Sequence, residues 1–427
     1  MAISFKIGIT VLAILLLASM FLTSCGDDDA TQEDKETPIE TIQQTEEPAE
    51  DVVITIGNLT DLTGPAAATG QTITMALEDV IGYYNEQNLI PGVELDLVTY
   101  DGQLDPSKDI PGYEWLLERG ADVIFTIQPA TPITLKPRVD SDQVILFAAS
   151  GDLEFISPPG YVFVVATSVP QYEAYTLLNW IAANDWDYAA NGPARIGGAG
   201  WDWGYSNGVF AAMEEYSNAH PDQFDWAGAH LTPLGTFIWG PEVDALKDCD
   251  YVFVPESMTT FVREFRSAGY EARFLGSDVQ ASVTGLVDDA NLWDEIDGML
   301  FVRGTRWWNE EGELLDLAKQ LLYDNHPGEA DSIIHSGNTY LAANNVNVML
   351  DLIAQTVESV GPGNFDSQAL YDVAQSYSMT VEGIEGFFSF SETKRLSANY
   401  YAIYEARSTE RDIFRADPEW VPISTGP

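Results

Sequence analysis

Val52-Val53-Ile54-Thr55-Ile56-Gly57, a helical stretch from Thr69 to Asn85, and then Val93-Glu94-Leu95-Asp96-Leu97-Val98-Thr99-Tyr100 decide the fold. The first segment is apolar at nearly every position, the pattern of a strand covered on both faces. In the second, Ile73, Met75-Ala76-Leu77, Val80-Ile81 and Tyr84 recur at the spacing of a helix with one apolar face. The third alternates as a half-buried strand. Strand, helix and strand at this spacing predict a parallel sheet with helices laid over it.

The same rhythm continues outward. Ile110 to Arg119 reads as a helix, and Ala121 to Thr126 and Val144 to Ala149 read as strands. It restarts near Tyr172 with a helix to Asn184, a strand at Ala194 to Ala199 and a helix from Tyr205 to Ala219. Strands at Tyr251 to Val254 and Arg273 to Gly276 then flank a helix from Met258 to Ala268, and Gly298 to Val302 reads as a further strand. Ser336 to Val360 predicts one long helix, and Phe387 to Ala406 a terminal hairpin. Two consecutive α/β blocks imply two similar lobes.

The chain has 427 residues, with 67 acids against 19 bases and a net charge of −48. A phosphate backbone would be repelled, so nucleic acid is a poor partner. An anionic membrane surface is disfavoured on the same ground, and the charge favours solubility and a monomer. Attachment to a membrane needs another device, and the first 25 residues supply one. Lys6 precedes an apolar run from Ile7 to Leu22, which ends in Leu22-Thr23-Ser24-Cys25. A branched residue and two small ones before cysteine resemble the cleavage site of bacterial lipoproteins, which implies a signal peptide over 1–25 and a lipid on Cys25. A plain signal peptide or a short anchor helix is the alternative.

Residues 26–51 hold eleven acids and one base, Lys35, and read as a self-repelling disordered tether. Without those eleven acids, Lys6 and Lys35, the remainder keeps 56 acids and 17 bases, a net −39. The acidity therefore belongs to the globular body as well. Cys249 is the single cysteine left beyond Cys25, so no internal disulfide is expected. Its position before an apolar strand reads as a small packed side chain.

Residues for catalysis are not assembled in the sequence. His220, His230, His326 and His335 show no His-x-x-x-His spacing and stand beside no cysteine, so neither a metal nor another cofactor is expected. Gly-x-Ser-x-Gly and phosphate-binding loops are absent. Gly197-Gly198-Ala199-Gly200 follows a strand but leads into Trp201-Asp202-Trp203, and reads as a strand-to-loop turn rather than a dinucleotide site.

Over Val52 to Arg407 the chain resembles the Leu/Ile/Val-binding family of type I periplasmic solute-binding proteins of ABC transporters. Ile54 to Gly57 with Leu62-Thr63-Gly64-Pro65, then Gly70 and Ala76-Leu77-Glu78, resemble the family's first strand, turn and helix. Tyr100-Asp101-Gly102-Gln103 with Asp105-Pro106, Phe274-Leu275-Gly276-Ser277-Asp278 and Gly386-Phe387-Phe388-Ser389-Phe390 follow in the family's order. The resemblance implies an α/β fold of two Rossmann-like lobes with parallel sheets, joined by a three-crossing hinge. It sets one lobe at 52–169 plus 303–381 and the other at 170–302 plus 382–415.

The resemblance also implies a site. Ala148 and Ser150 fall where the family offers a carbonyl and a hydroxyl to the ligand. Gln128 lies in the preceding loop, where Ile127-Gln128-Pro129 replaces the family's small residues. Trp203 stands where an aromatic closes over the ligand, and Asp278 where amino-acid binders pair with an ammonium. Trp307 falls at a crossing that often lines the cleft. Against these stand blander readings: Ser150 as a turn cap with Gly151-Asp152, and Trp203 and Trp307 as packing. The function implied is capture of an amino acid, or of an amide, urea-like solute or aromatic acid, by hinge closure and delivery to an ABC permease. A ligand sensor on the same lobes and, more remotely, an extracellular hydrolase are the alternatives.

Overall fold

The computed structural model describes residues 51–165 and 169–427. Cys25, the signal segment and the acidic tether up to residue 50 lie outside them. In the first half, β1 (Val52–Thr60), α1 (Ala67–Glu86), β2 (Val93–Asp101), α2 (Asp109–Leu117), β3 (Val123–Thr126), α3 (Thr131–Asp142), β4 (Leu146–Ala148), α4 (Leu153–Ile156) and β5 (Val162–Val164) alternate. Their strands form a parallel sheet in the order β2-β1-β3-β4-β5. Ile54 to Thr60 are all buried, as a strand covered on both faces must be. Gly70, Thr74, Leu77, Ile81 and Tyr84 make the helical stripe that α1 lays against the sheet.

The second half repeats the plan. It runs α5 (Pro170–Asn184), α6 (Tyr188–Asn191), β6 (Ala194–Trp201), α7 (Gly204–Ala219), β7 (Phe224–Thr232), α8 (Gly240–Ala245), β8 (Tyr251–Phe253), α9 (Met258–Ser267) and β9 (Arg273–Ser277). Then come α10 (Asp278–Ala281), α11 (Thr284–Asp289) and β10 (Leu300–Arg303). The chain continues through α12 (Glu313–Asn325), α13 (Ala330–Ser336), α14 (Ala343–Val360) and α15 (Ser367–Ala374). It ends in β11 (Ser378–Val381), β12 (Ile384–Ser389), β13 (Tyr400–Arg407), β14 (Asp412–Arg415) and β15 (Val421–Pro422). The second sheet has the order β14-β13-β10-β9-β8-β6-β7, parallel from β7 to β10 and antiparallel at β13 and β14. Helices α12 and α14 pack on α1, so this late part of the chain returns to the first sheet.

Two expectations are corrected. The helix expected from Ser336 to Val360 breaks at Gly337, whose φ of +143° belongs to glycine. A Cβ there would lie 2.6 Å from the Ala281 carbonyl and from Ser282, so α13 meets the α10–α11 turn backbone to backbone. The hairpin expected over Phe387 to Ala406 is reduced to one antiparallel bridge, Phe388 with Ala398, beside the Ser389 N–H donating to the Ser397 carbonyl at 2.8 Å. β12 pairs with β11, and β13 pairs with β10 and β14. The residues between them instead join the edge of the first sheet: Val164 N–H donates to the Arg395 carbonyl at 2.7 Å and Ser397 N–H to the Val164 carbonyl at 2.8 Å. β7 and α3 were not anticipated. β7 is a half-exposed edge strand without an apolar run, and α3 is polar with prolines at 132 and 137.

This crossing segment carries a titratable strain. Burial pushes the Lys394 ammonium down to about 7, although its Nζ donates to the carbonyls of Ser389, Leu396 and Ser397. An unfolded lysine titrates near ~10.4, so unfolding between the two values takes up a proton and stability rises with pH. Cys249, buried and unpaired, is pushed by burial to about 11. That acts in the opposite direction above an unfolded thiol's ~8.5. The urea midpoint should therefore climb from pH ~7 to ~8.5 and then level off. Lys394→Met should abolish the climb, and an unchanged slope in that variant would overturn the assignment.

Candidate functional site

A cavity of about 570 Å³ opens where the carboxyl ends of strands from both sheets meet. From the first-sheet side come the first turn of α1 and the loops after β2, β3 and β4; from the other come the loops after β6, β7 and β9. Thr305, after β10, and residues between Asn338 and Asn345 complete the wall. Among the described residues lining it, none is Lys, Arg or His.

Trp203, Ser150, Gln128 and Asp278 lie on this wall. Trp203 is extended backbone just before α7, and its indole N–H is held by Glu256 at 2.5 Å. Glu256 also receives Ser206 and the backbone N–H of Trp201, which fixes the aromatic loop from beneath. Gln128 is buried, and its amide is occupied: Nε2 donates to the Thr60 carbonyl at 2.9 Å, and Oε1 accepts from Thr131. It ties the loop after β3 to the end of β1 rather than reaching for a ligand.

Asp278 sits in the cavity wall but with its charge already balanced. Its Oδ1 accepts from Arg303 Nε at 2.6 Å and from Asn338 Nδ2 at 2.9 Å, and its Oδ2 from Gly304 N–H at 3.1 Å. The Arg303 side chain is completely buried and lies over the rings of Trp307 and Tyr404, at 4.6 and 5.3 Å. An acid offered to an ammonium would need to be uncompensated, so this pairing argues against that role.

Ala148 and Trp307 are corrected. Ala148 is a core residue of β4, and its carbonyl accepts from Val165 N–H at 3.0 Å; Ala149, one residue on, is the one at the cavity. Trp307 is buried behind the wall, with its indole N–H bonded to Asp412 and its face under Arg303. Thr305 takes the cavity position instead.

Several wall residues were not anticipated. Asp109 is fully buried; burial raises its carboxyl, against the pull of the Thr131 hydroxyl 2.8 Å away. Tyr205 is pushed far up, by burial and then by Glu173. Leu104, Ile133 and Leu234 supply apolar surface. The signal for Arg303 was an arginine ending the apolar run Met299 to Val302, since a cation in a core strand requires a buried acid. The caps of α3 and α7, Ala130 and Trp203, make no capping hydrogen bond through a side chain. In α3 Thr131 N–H already donates to the Gln128 carbonyl and Pro132 has no N–H, so it is α7 whose first-turn amides are left for other acceptors. Both caps line the cavity.

Away from it, Asp288, Asp289 and His335 place ligand atoms within 4.8 Å of one another. Asp288 there is already engaged by Arg411 and by the Trp293 indole. Among the described residues no helix is long and apolar enough to cross a membrane.

A profile of the periplasmic binding protein family matches residues 53–410. No curated protein matches the sequence at a significant level. A valine-bound branched-chain amino acid ABC transporter protein from Thermus thermophilus is similar, with TM-score 0.72 and 17% identity over 88% of this chain and 97% of its own. A solute-binding protein of an ABC transporter from Rhodopseudomonas palustris, in complex with p-hydroxybenzoic acid, gives TM-score 0.70 and 13% identity over 87% and 98%. An isoleucine-bound branched-chain amino acid binding protein from Streptococcus pneumoniae gives 0.68 and 14% over 87% and 99%. At such identities the likeness is one of fold.

Proposed function

The chain belongs to the periplasmic binding protein family, and from that premise we propose that it is a lipid-anchored receptor that captures a small carboxylic acid and passes it to an ABC permease. Cys25 carries the anchor and residues 26–51 the tether. The lobes are 52–169 plus 303–381 and 170–302 plus 382–415, with closure about the crossings between them. The two sheets support that division except at 381/382, where β12 pairs with β11 and Arg395 to Ser397 pair with β5, so the return to the second sheet follows Ser397.

The observation that carries the choice of ligand is the Arg303–Asp278 pair. Of the three acids among the described residues of the wall, Asp278 is paired with Arg303, Asp152 caps α4 through Glu154 N–H and Asp109 is bonded to Thr131. That leaves little for an isolated ammonium, while the uncapped start of α7 supplies N–H donors for a carboxylate. Valine, isoleucine and p-hydroxybenzoic acid, the ligands of the similar structures, are all carboxylic acids. An amino acid therefore fits through its carboxylate, and an acid with no amino group fits equally well.

The test is a thermal-shift screen of the body from Asp51 onward with leucine, isoleucine, 4-hydroxybenzoate and the corresponding neutral amides. Saturation by a true ligand should add ~2.7 kcal/mol at a hundredfold excess over its dissociation constant. Shifts with the acids and not the amides are expected. Shifts with amides or amines alone would overturn the carboxylate.

A further inference from the structure

We infer that Leu104, held in a left-handed backbone and lining the cavity with Ile133 and Leu234, selects for an acid with an extended apolar body, an aryl or medium-chain alkyl carboxylate. This rests on the carboxylate reading above and specifies what the rest of the ligand must be.

The backbone is the first observation. Gln103 and Leu104 have φ of +56° and +52°, two successive non-glycine residues in the region that L side chains avoid. For a bulky residue such as leucine that is an outlier that glycine would remove. It persists because the loop is fixed from both ends. The Asp101 carboxylate accepts from Leu62 N–H at 2.9 Å, from the Thr63 hydroxyl at 2.5 Å and from Gln103 N–H at 3.2 Å. Gly102 N–H donates to the Thr60 carbonyl at 2.7 Å, and Asp105 N–H returns to the Gly102 carbonyl at 3.0 Å. Asp105 then caps the following turn through Ser107 N–H at 2.9 Å. Strain imposed this firmly on a residue at a cavity points to a use for its side chain.

The second observation is where the apolar side chains go. Leu104, Ile133 and Leu234 all line the cavity, yet none of the three belongs to either hydrophobic core. Ile133 is 43% exposed and Leu234 64%. Apolar surface that the fold leaves uncovered at the mouth of a ligand cavity is surface for the ligand to cover. The three reach it from separate elements: the loop after β2, the first turn of α3, and the loop between β7 and α8. That last loop is pinned at one side by the Trp201 indole, which donates to the Thr236 carbonyl at 2.9 Å. At its other side Trp239 is fully buried, with its backbone N–H on Glu264. Leu234 is thus presented to the cavity from a fixed loop.

The experiment is calorimetric titration of the body from Asp51 with straight-chain acids from acetate to octanoate, 4-hydroxybenzoate and octanamide, on the native chain and on Leu104→Gly and Leu104→Ala. In the native chain affinity should rise about fourfold per methylene buried. Leu104→Gly should flatten that rise and lose about tenfold on octanoate, without lowering the urea midpoint, because glycine accepts the left-handed backbone. Leu104→Ala should lose the same affinity while keeping the strained backbone. Acids that bind with no dependence on chain length, or with equal affinity in the variants, would overturn the inference and leave the carboxylate reading standing. A lowered urea midpoint in Leu104→Gly would make Leu104 a packing residue and overturn it too. Octanamide binding as well as octanoate, weakened in both variants, would support Leu104 and overturn the carboxylate. No binding by any of the series overturns both.

Discussion

Asp278→Ala should lower the stability of the ligand-free body by ~3–5 kcal/mol, because it strands a fully buried guanidinium. Arg303 has no exposed surface, and its Nε depends on Asp278 at 2.6 Å. Its Nη2 has only the Thr305 hydroxyl at 3.1 Å, and Nη1 has no hydrogen-bond partner among the described residues. The rings of Trp307 and Tyr404 soften the desolvation but cannot replace a counter-charge. A urea titration without ligand reads the loss directly. The double variant Asp278→Leu/Arg303→Met should recover most of it, since neutral packing of similar volume replaces a buried pair without large penalty. If Asp278→Ala left the urea midpoint unchanged but removed leucine binding, the carboxylate would belong to an amino-acid ligand after all.

Gly70→Ala should cost ~3 kcal/mol, at the top of the usual range for overpacking. A Cβ at Gly70 would lie 1.8 Å from the Asp61 carbonyl oxygen, and neither backbone can yield cheaply. Asp61 holds the turn before α1 through Gly64 N–H and Ala66 N–H, so the added methyl pushes on the turn that seats Thr69 at the cavity. Affinity for any ligand of the cavity should fall with stability. Gly82, in the same helix, has nothing within 4 Å of where its Cβ would be. Gly82→Ala should therefore stabilise by ~0.5–1 kcal/mol, from backbone entropy alone. Equal effects at the two positions in a thermal unfolding series would refute the steric account.

The fold was legible wherever burial was two-sided or one-sided and regular. β1, α1, β2 and most of the strands that follow carried their period openly, and the α/β class could be read from them, while the family came from the ordered motifs that resemble it. Legibility failed where a tertiary partner decided the outcome. Gly337 looked like one more residue in a long helix, because the backbone of Ala281 and Ser282 that it must clear lies far away in the chain. Phe387 to Ala406 read as one hairpin, yet it keeps only the bridge between Phe388 and Ala398, because Arg395 to Ser397 join β5 instead. At the site, resemblance put Asp278 and Trp203 on the cavity wall but could not show what already holds them. Arg303 and Glu256 reach them from other strands and loops. Ala148 and Trp307 each missed the cavity by one or two residues, the difference between a strand's last core position and the loop that leaves it. Leu104 was invisible because its importance lies in a backbone angle, not in its chemistry.

The buried thiol at Cys249 makes the body an unusually clean chassis for optical sensing. Beyond the tether it is the sole cysteine of the chain, sealed under α/β packing and, with its pKa raised by burial, slow to meet a maleimide dye. A fluorophore attached through a cysteine installed at Ser150 would therefore report from one place only, with no native label to subtract. Its brightness would follow the wetting and drying of the cavity as solute comes and goes.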